Sequence, residues 1–594
     1  MQKNIFLMFN SITKRKFLLS FTFTFFILTT NAQVNFLWAK AMDGSSYDGG
    51  QSIAIDGASN DYTTGYFEGC VDFAPGLGVW YLTSNGAQDI FISKLDASGN
   101  FVWAKQIGGI NGDLGFSIDV DALGYIYTTG TFQDTVDFDP GVGVFNLTNS
   151  GNGAAIFVSK LDPLGNFGWA KKLGGVGGSS MGRCIKLDAT GNVYTTGYFD
   201  VTTDFDPGAG VFNITPVGGE DIFINKLNVS GNFVWAKSMG GVNTDCGYSI
   251  GFDNGGNIYT SGKFRDTVDF DPGIGVYNLI SAGFEDIFVN KFNSSGTFVW
   301  AKAMGGAMTD ISYSNVVDGL GNVYTTGIFL GTADFDPGPG VFSITSMGNN
   351  DIFISKLNAS GNFMWALSMG GTANEAAISI TIDQYSNIYT TGFFQSTVDF
   401  DPGAGAYYLS SPGLDDIFIS ILDISGTFVS AKNIGGVGAA CVGQSIAVDL
   451  FGDVYTTGYF QGTGDFDPGP SVYNITAPGL DDVFVVKLNC PSLGISEIKG
   501  DLSVEQNIFP NPNNGLFTLQ VSASTTSTSS GLAGSAPIIN GELILINSIG
   551  QKVYEAKIIQ GINTIQTNSL AKGLYNYILL SDKQKINSGK LVVE

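Results

Sequence analysis

Between residues 246 and 302 the chain alternates short apolar runs with tight polar breaks. Tyr248–Asp253 is short and partly apolar, and Asn254-Gly255-Gly256-Asn257 turns the chain before Ile258–Phe264 returns. A loop carrying Asp269-Phe270-Asp271-Pro272-Gly273 leads into a short apolar piece, Val276–Leu279. Asp286–Phe292 and Thr297–Lys302 then form a hairpin across Asn293-Ser294-Ser295-Gly296. Gly, Asn and Asp at these joints are the residues that tight hairpins require. No window keeps a 3.6-residue period, so the pattern predicts strands and no helix. Ile287-Phe288-Val289 and Phe298-Val299-Trp300 are unbroken apolar runs. A sheet wet on one face would alternate, so these strands are expected to be covered on both faces.

The same pattern occurs seven times. The Trp of Phe-x-Trp-Ala stands at Trp38, Trp103, Trp169, Trp235, Trp300 and Trp365, with Ser430 in the seventh place, at spacings of 65 or 66 residues. Pro-Gly recurs at Pro75, Pro140, Pro207, Pro272, Pro337, Pro402 and Pro468. Tyr-Thr-Thr-Gly, or its Ser variant, begins at Tyr62, Tyr127, Tyr194, Tyr259, Tyr324, Tyr389 and Tyr455. Four antiparallel strands in each of seven units predict an all-β chain with a seven-bladed β-propeller over residues 33–490, its repeats starting near 36, 101, 167, 233, 298, 363 and 428. A β-helical solenoid uses shorter repeats and needs end caps, and no cap-like sequence precedes Phe36. The first unit opens with Phe36-Leu37-Trp38-Ala39-Lys40, a fourth strand without its first three, while the last unit lacks a fourth strand. The N-terminal strand is therefore expected to complete the seventh blade, which removes an unpaired edge.

Ahead of the repeats, Lys14, Arg15 and Lys16 precede an apolar run of 12 residues, Phe17–Leu28, and then Thr30-Asn31-Ala32. Basic, apolar and small segments in that order predict a secretory signal peptide over 1–32, cleaved after Ala32. A membrane anchor needs ~20 apolar residues, and the mature chain offers no such stretch.

Composition narrows the chemistry. Of 594 residues, 82 are Gly and only 14% are charged, and there is no His. The lack of His removes Ser-His-Asp and Cys-His catalysis and His-ligated zinc. A net charge of −25 makes nucleic acid a poor partner. Cys70, Cys184, Cys246, Cys441 and Cys490 are odd in number, scattered and out of phase with the repeat, so they read as small apolar residues rather than a disulfide framework.

The repeat resembles the seven-bladed β-propeller repeat family of secreted bacterial proteins, on Ile185–Gly197, Asp221–Gly231 and Phe233–Gly241 and their counterparts across about residues 36–490. That resemblance implies the fold and no single activity. After Cys490-Pro491 the repeat stops, and 491–506 reads as a linker. Strand-like runs beyond it predict a small immunoglobulin-like β-sandwich, interrupted by a Ser/Thr/Gly-rich tract, Ser522–Ser535. Phe509-Pro510-Asn511-Pro512, Asn547-Ser548-Ile549-Gly550-Gln551-Lys552-Val553, Leu570-Ala571-Lys572-Gly573-Leu574-Tyr575 and Lys590-Leu591-Val592-Val593 resemble the type A sorting domain of the bacterial type IX secretion system over residues 507–594. The resemblance implies the secretion machinery as a partner, passage through the outer membrane, removal of this domain, and a secreted or surface-attached product.

The candidate chemistry lies in the acidic loops. Asp137 and Asp139, Asp204 and Asp206, Asp269 and Asp271, Asp334 and Asp336, Asp399 and Asp401, and Asp465 and Asp467 form six pairs, whereas the first unit has Asp72 but Ala74. Residues two apart on an extended backbone share a side. Like charges ~6 Å apart repel by about 3 kcal/mol near a protein surface, so each pair is a candidate calcium site or a turn held by backbone N–H groups. Two carboxylates fall short of the 6–8 oxygens of a calcium shell. Arg183, Lys186, Arg265 and Glu375 occur once each among the repeats and read as solvent-facing variation. The sequence is thus read as an exported, non-enzymatic binding or scaffold module for a surface glycan or protein. The alternative is a carbohydrate-active propeller enzyme, a hydrolase or lyase using Asp or Glu.

Overall fold

Six blades fold as four antiparallel strands in sequence order. In the third these are Met181–Leu187, Val193–Phe199, Asp221–Leu227 and Phe233–Met239. The computed structural model describes residues 34–490 except 77 and 439, and in the C-terminal part 502–509, 516–525, 540–546, 552–559, 561–567, 570–581 and 584–593. The segment 1–32 read above as a signal peptide, residues 491–501 of the stretch read as a linker, and the Ser/Thr/Gly-rich tract from 526 lie outside the described residues. All described elements are strands.

The repeated phrases have local causes. In the turn between the first two strands of the third blade, Asp188 Oδ1 accepts the backbone N–H groups of Thr190 and Asn192 at 2.9 and 3.0 Å. The Tyr194 hydroxyl donates to Asp188 Oδ2 at 3.2 Å. Asp with its side chain folded back on the chain is a turn former, and the same Tyr–Asp hydrogen bond recurs in the other blades, for example Tyr259 to Asp253 at 3.1 Å. The Tyr194 ring is buried, with Trp235 edge-on at 6.0 Å and the Lys226 ammonium 4.8 Å from its centroid. Gly197 ends the Tyr-Thr-Thr-Gly phrase because a Cβ there would stand 1.9 Å from the Met181 carbonyl oxygen of the neighbouring strand.

Between the second and third strands the acidic loop forms a small hairpin. Its central Phe205 is buried between Phe199, edge-on at 5.3 Å, and Phe223 at 5.2 Å. The core itself runs between blades: Tyr127, Ile156, Val158 and Leu173 of the second blade pack with Ile185, Val193, Phe199 and Phe223 of the third. A strand pressed from both sides needs apolar residues at consecutive positions, which accounts for the unbroken Ile-Phe-Ile runs.

The ring closes as the order of parts predicts. Asn35–Met42 pairs antiparallel with Asp482–Asn489, giving a seventh blade of order 35–42, 482–489, 453–460, 441–448. The outermost strand of the last blade thus comes from the beginning of the chain.

In the C-terminal part, Leu502–Phe509, Leu516–Thr525 and Gly561–Gln566 form one sheet. A second sheet takes the order Lys552–Ile559, Asn540–Ile546, Gly573–Ser581, Gln584–Val593. Phe517, Leu519, Leu543, Leu545, Ile565 and Leu591 are buried in their common core. The strand Leu502–Phe509 begins inside the stretch read as linker. The five cysteines are free thiols, four of them buried.

Candidate functional site

The acidic hairpins bind their own backbone. Asp269 Oδ1 accepts the N–H groups of Asp271 and Tyr277 at 3.0 and 2.8 Å, and Asp271 Oδ1 accepts that of Gly273 at 2.9 Å. The arrangement repeats at Asp137 and Asp139, Asp204 and Asp206, Asp334 and Asp336, Asp399 and Asp401, and Asp465 and Asp467. One oxygen of the first Asp closes the hairpin by gathering two N–H donors, and the second Asp caps the Pro-Gly turn. Among the described residues no three acidic or thiol side chains converge as a metal cluster.

The axis of the propeller carries a different set of residues. Each innermost strand contains a β-bulge where the register slips: between Gly50 and Ser52, Gly115 and Ser117, Gly182 and Cys184, Gly247 and Ser249, Ser312 and Ser314, Ala377 and Ser379, and Gly443 and Ser445. The skipped residues are Gln51, Phe116, Arg183, Tyr248, Tyr313, Ile378 and Gln444, and all seven line both axial cavities. Bulges re-aim side chains, and here they turn one residue per blade into a ring around the axis. One cavity, of about 380 Å³, extends from the ring past Asn350, Glu375 and Phe393; the other, of about 450 Å³, extends past Asp119, Lys186 and Thr381.

The ring stands on a rigid support. The residue after each bulge is Ser in six blades, and its Oγ accepts a backbone N–H from the next blade, as Ser117 does from Ile185 at 3.1 Å and Ser249 from Asn315 at 3.0 Å. Cys184 takes the seventh place.

Arg183 breaks the ring's symmetry most. Its guanidinium lies 4.9 Å from the Phe116 ring centroid, 5.6 Å from that of Tyr248 and 6.0 Å from that of Tyr198, within the reach of cation–π attraction. Its Nε is buried without a hydrogen-bond partner, and among the described residues no carboxylate lies within ion-pair distance. Tyr248 and Tyr313 meet edge to face at 5.5 Å, and Gln51 and Gln444 of adjacent blades occupy the far side. Farther along the axis, the Asp119 carboxylate raises the pKa of Lys186.

Glu375 sits where other blades have Asp113, Asp245 and Asp310 at the start of the innermost strand. Each of these acids accepts a backbone N–H four residues upstream, from Gly371 at 3.0 Å in the case of Glu375 and from Gly241 at 2.8 Å in that of Asp245. Burial pushes all four up to about 7. The raised pKa of Glu375 is therefore a property of its place in the repeat and does not single it out as a catalytic acid.

The structure corrects the reading of two of the singular residues. Glu375 is buried and Arg183 half-buried in the wall of the axial cavities, whereas Lys186, which lines one of them, and Arg265, whose guanidinium lies 5.3 Å from the Phe284 ring, are exposed as expected. Superposing the seven repeats and asking which column varies would have exposed them. The position between the small residue and Ser reads Gln, Phe, Arg, Tyr, Tyr, Ile, Gln, while its neighbours hardly change.

Fold and sequence together define a seven-bladed β-propeller carrying a sorting module. Residues 507–594 match the family described as secretion system C-terminal sorting domain, and that domain implies export by the type IX secretion system to the cell surface or the medium. The chain is 23% identical over 452 residues to an uncharacterised WD repeat-containing protein of Acanthamoeba polyphaga mimivirus, a match covering 62% of this chain and 32% of the relative. It is 24% identical over 200 residues to the regulatory protein FlaEY of Caulobacter vibrioides, covering 33% of this chain and 20% of that protein. The chain thus spans about a third and a fifth of the lengths of these two relatives. Among solved structures it is similar to Sqt1 from Chaetomium thermophilum, with 10% identity, a TM-score of 0.34, and coverage of 72% of this chain and 97% of that one. No helix among the described residues is long and apolar enough to cross a membrane.

Proposed function

We propose that this protein is an exported, non-catalytic binding module whose recognition site is the axial cavity. The observation that carries the reading is the contrast between the hairpins and the ring. The acidic hairpins are nearly identical and their aspartates hold backbone N–H groups, whereas the bulge position places seven residues of five types around one cavity of about 380 Å³. That volume falls within the ~300–1,000 Å³ of small-ligand sites. An apolar and aromatic wall with a few polar groups is the composition of such sites. No carboxylate pair there is set apart from its structural siblings, which favours binding over glycoside cleavage.

In this reading residues 507–594 deliver the propeller to the outside and are removed, and the propeller is released or held on surface lipopolysaccharide. Intact mass of the secreted material tests the removal, which retention of 507–594 would contradict. The binding role is tested by screening the purified full chain and its Ile378→Trp variant, which fills the cavity, on a panel of glycans and proteins. Saturable binding lost in the variant, with its melting temperature kept, is the expected result. Binding unaffected by the filled cavity, or no binding at all, would overturn the reading.

A further inference from the structure

Three features of the axial cavity limit what it can hold. The first is Arg183. A guanidinium offers five N–H donors in a fixed fork that matches a carboxylate, and it stays charged at any physiological pH. In a folded protein such a group near an interior wall is normally paired. Here the Nε is buried without a partner, and among the described residues no acid lies within ion-pair distance. The neighbours are instead the aromatic rings of Phe116 and Tyr248 at 4.9 and 5.6 Å. They hold the charge by attraction to their faces and do not use up its hydrogen-bond donors.

The second feature is the wall. Phe116, Tyr248 and Tyr313 lie on the same arc of the ring as Arg183, so a ligand on the guanidinium meets flat apolar surface beside it. The third is the opposite arc, where Gln51 and Gln444 stand on adjacent blades. A primary amide donates two hydrogen bonds and accepts two, which suits hydroxyl groups that both give and take protons. An aromatic acid would satisfy the arginine and the wall but make no use of these half-buried amides, which it would leave to water. A neutral sugar would satisfy the wall and the amides but not the arginine.

Resting on the axial-cavity reading, we propose that the ligand is an acidic sugar, a pyranose bearing a carboxylate, with Arg183 on the carboxylate, the aromatic arc under the ring and the two glutamines on its hydroxyls. The net charge of −25 does not prevent this. At physiological salt, exposed charges more than ~8 Å away are largely screened. At the site itself the acids are Glu375 on the same wall, which burial pushes up to about 7, and Glu220, which feels the guanidinium less than it feels Lys263.

Calorimetric titration of the full chain with D-galacturonate tests it, with its methyl ester, D-galactose and acetate run in parallel. Galacturonate is expected to bind at least tenfold tighter than its uncharged ester or galactose, and acetate to bind more weakly still because it reaches the arginine alone. Arg183→Gln should weaken galacturonate at least tenfold and leave galactose unchanged, and Arg183→Lys should fall between. An unchanged melting temperature separates lost recognition from lost folding. Equal binding of galacturonate and its ester, binding insensitive to Arg183→Gln, or no binding of galacturonate would overturn the proposal. If neutral glycans bind and are lost only in Ile378→Trp, the cavity remains the site and the acidic-sugar assignment fails alone.

Discussion

The Ser59 hydroxyl of the first blade donates to Asp449 Oδ2 of the seventh at 2.8 Å in a buried contact, 390 positions apart in the chain. Ser59 adopts φ 61°, in the turn position that Gly124, Gly191, Gly256, Gly321 and Gly452 hold elsewhere. A side chain in this left-handed region is destabilising by about 1–2 kcal/mol, and here the contact with Asp449 offsets it. Ser386 adopts φ 63° at the same place in the sixth blade with no comparable bond across blades. Ser386→Gly is expected to stabilise the protein by about 1 kcal/mol, and Ser59→Gly to leave it unchanged or weaken it. Chemical denaturation of the two variants compares them directly, and equal stabilisation by both would remove the role given to Ser59.

The N-terminal strand contributes the whole outer edge of the seventh blade. Deleting Phe36–Lys40 exposes the edge of Asp482–Asn489 and uncovers Ile446, Phe484 and Val486 in the core that Ala39 helps to close. The melting temperature is expected to fall by about 5 °C or more. A variant melting within a degree of the parent would show that the ring closes without this strand.

Buried acids make stability depend on pH. Burial raises Asp48, Asp113, Asp245, Asp286, Asp310 and Asp482 to about 7 and Asp221 and Asp416 to about 6. A carboxyl whose folded pKa lies above its unfolded value favours folding while protonated. That contribution is full below the unfolded value near 4 and is lost as pH rises through 6 to 7. The melting temperature should therefore be higher at pH 5 than at pH 8. Asp221→Asn should raise stability at pH 8 by about 1–3 kcal/mol, from about 1.4 kcal/mol per pKa unit, and by about half as much at pH 5. A melting temperature that rises from pH 5 to pH 8 would contradict the assignment.

The acid on the third strand also explains, in five blades, the first glycine of the Gly-Gly that follows the outer strand; in the seventh, Asp43 takes that place and its charge raises the pKa of Asp482. A Cβ on Gly240 would stand 2.0 Å from the Asp221 carboxyl carbon, whereas one on Gly174 would meet only the Ala155 methyl at 3.0 Å. The second blade lost the acid, so its glycine has lost its reason. Gly240→Ala is expected to destabilise by about 2 kcal/mol or more, as overpacked sites do, and Gly174→Ala by clearly less. Asp221→Ala should recover part of the Gly240→Ala loss. Equal effects at the two glycines would contradict the pairing.

Much of this was legible in the chain because it repeats. Trp235, Tyr194 and Phe205 mark each blade at fixed spacing, and the structure gives all three to packing. The closing strand was legible because a fourth-strand phrase stands alone at Phe36–Lys40. The acid pairs were visible too, but not their use, since a turn and a cation shell ask for the same carboxylates. The ring was not legible as a site. Arg183, Tyr248 and Gln444 share no residue type, and what gathers them is a backbone bulge that redirects one side chain per blade. The pairing of Asp221 with Gly240 escaped as well, because a third strand and the end of a fourth come together only in the fold.

In the proposed function, recognition lies on the axis and the rest of the propeller is structural. Hydrogen–deuterium exchange of the full chain with and without saturating D-galacturonate tests that division most directly. Slowed exchange in the innermost strands Leu114–Val120, Met181–Leu187, Cys246–Phe252 and Ile311–Val317, with the hairpin 269–278 and the outermost strand Phe298–Gly306 unaffected, is the predicted result. Slowed exchange in the acidic hairpins with the innermost strands unchanged would contradict it.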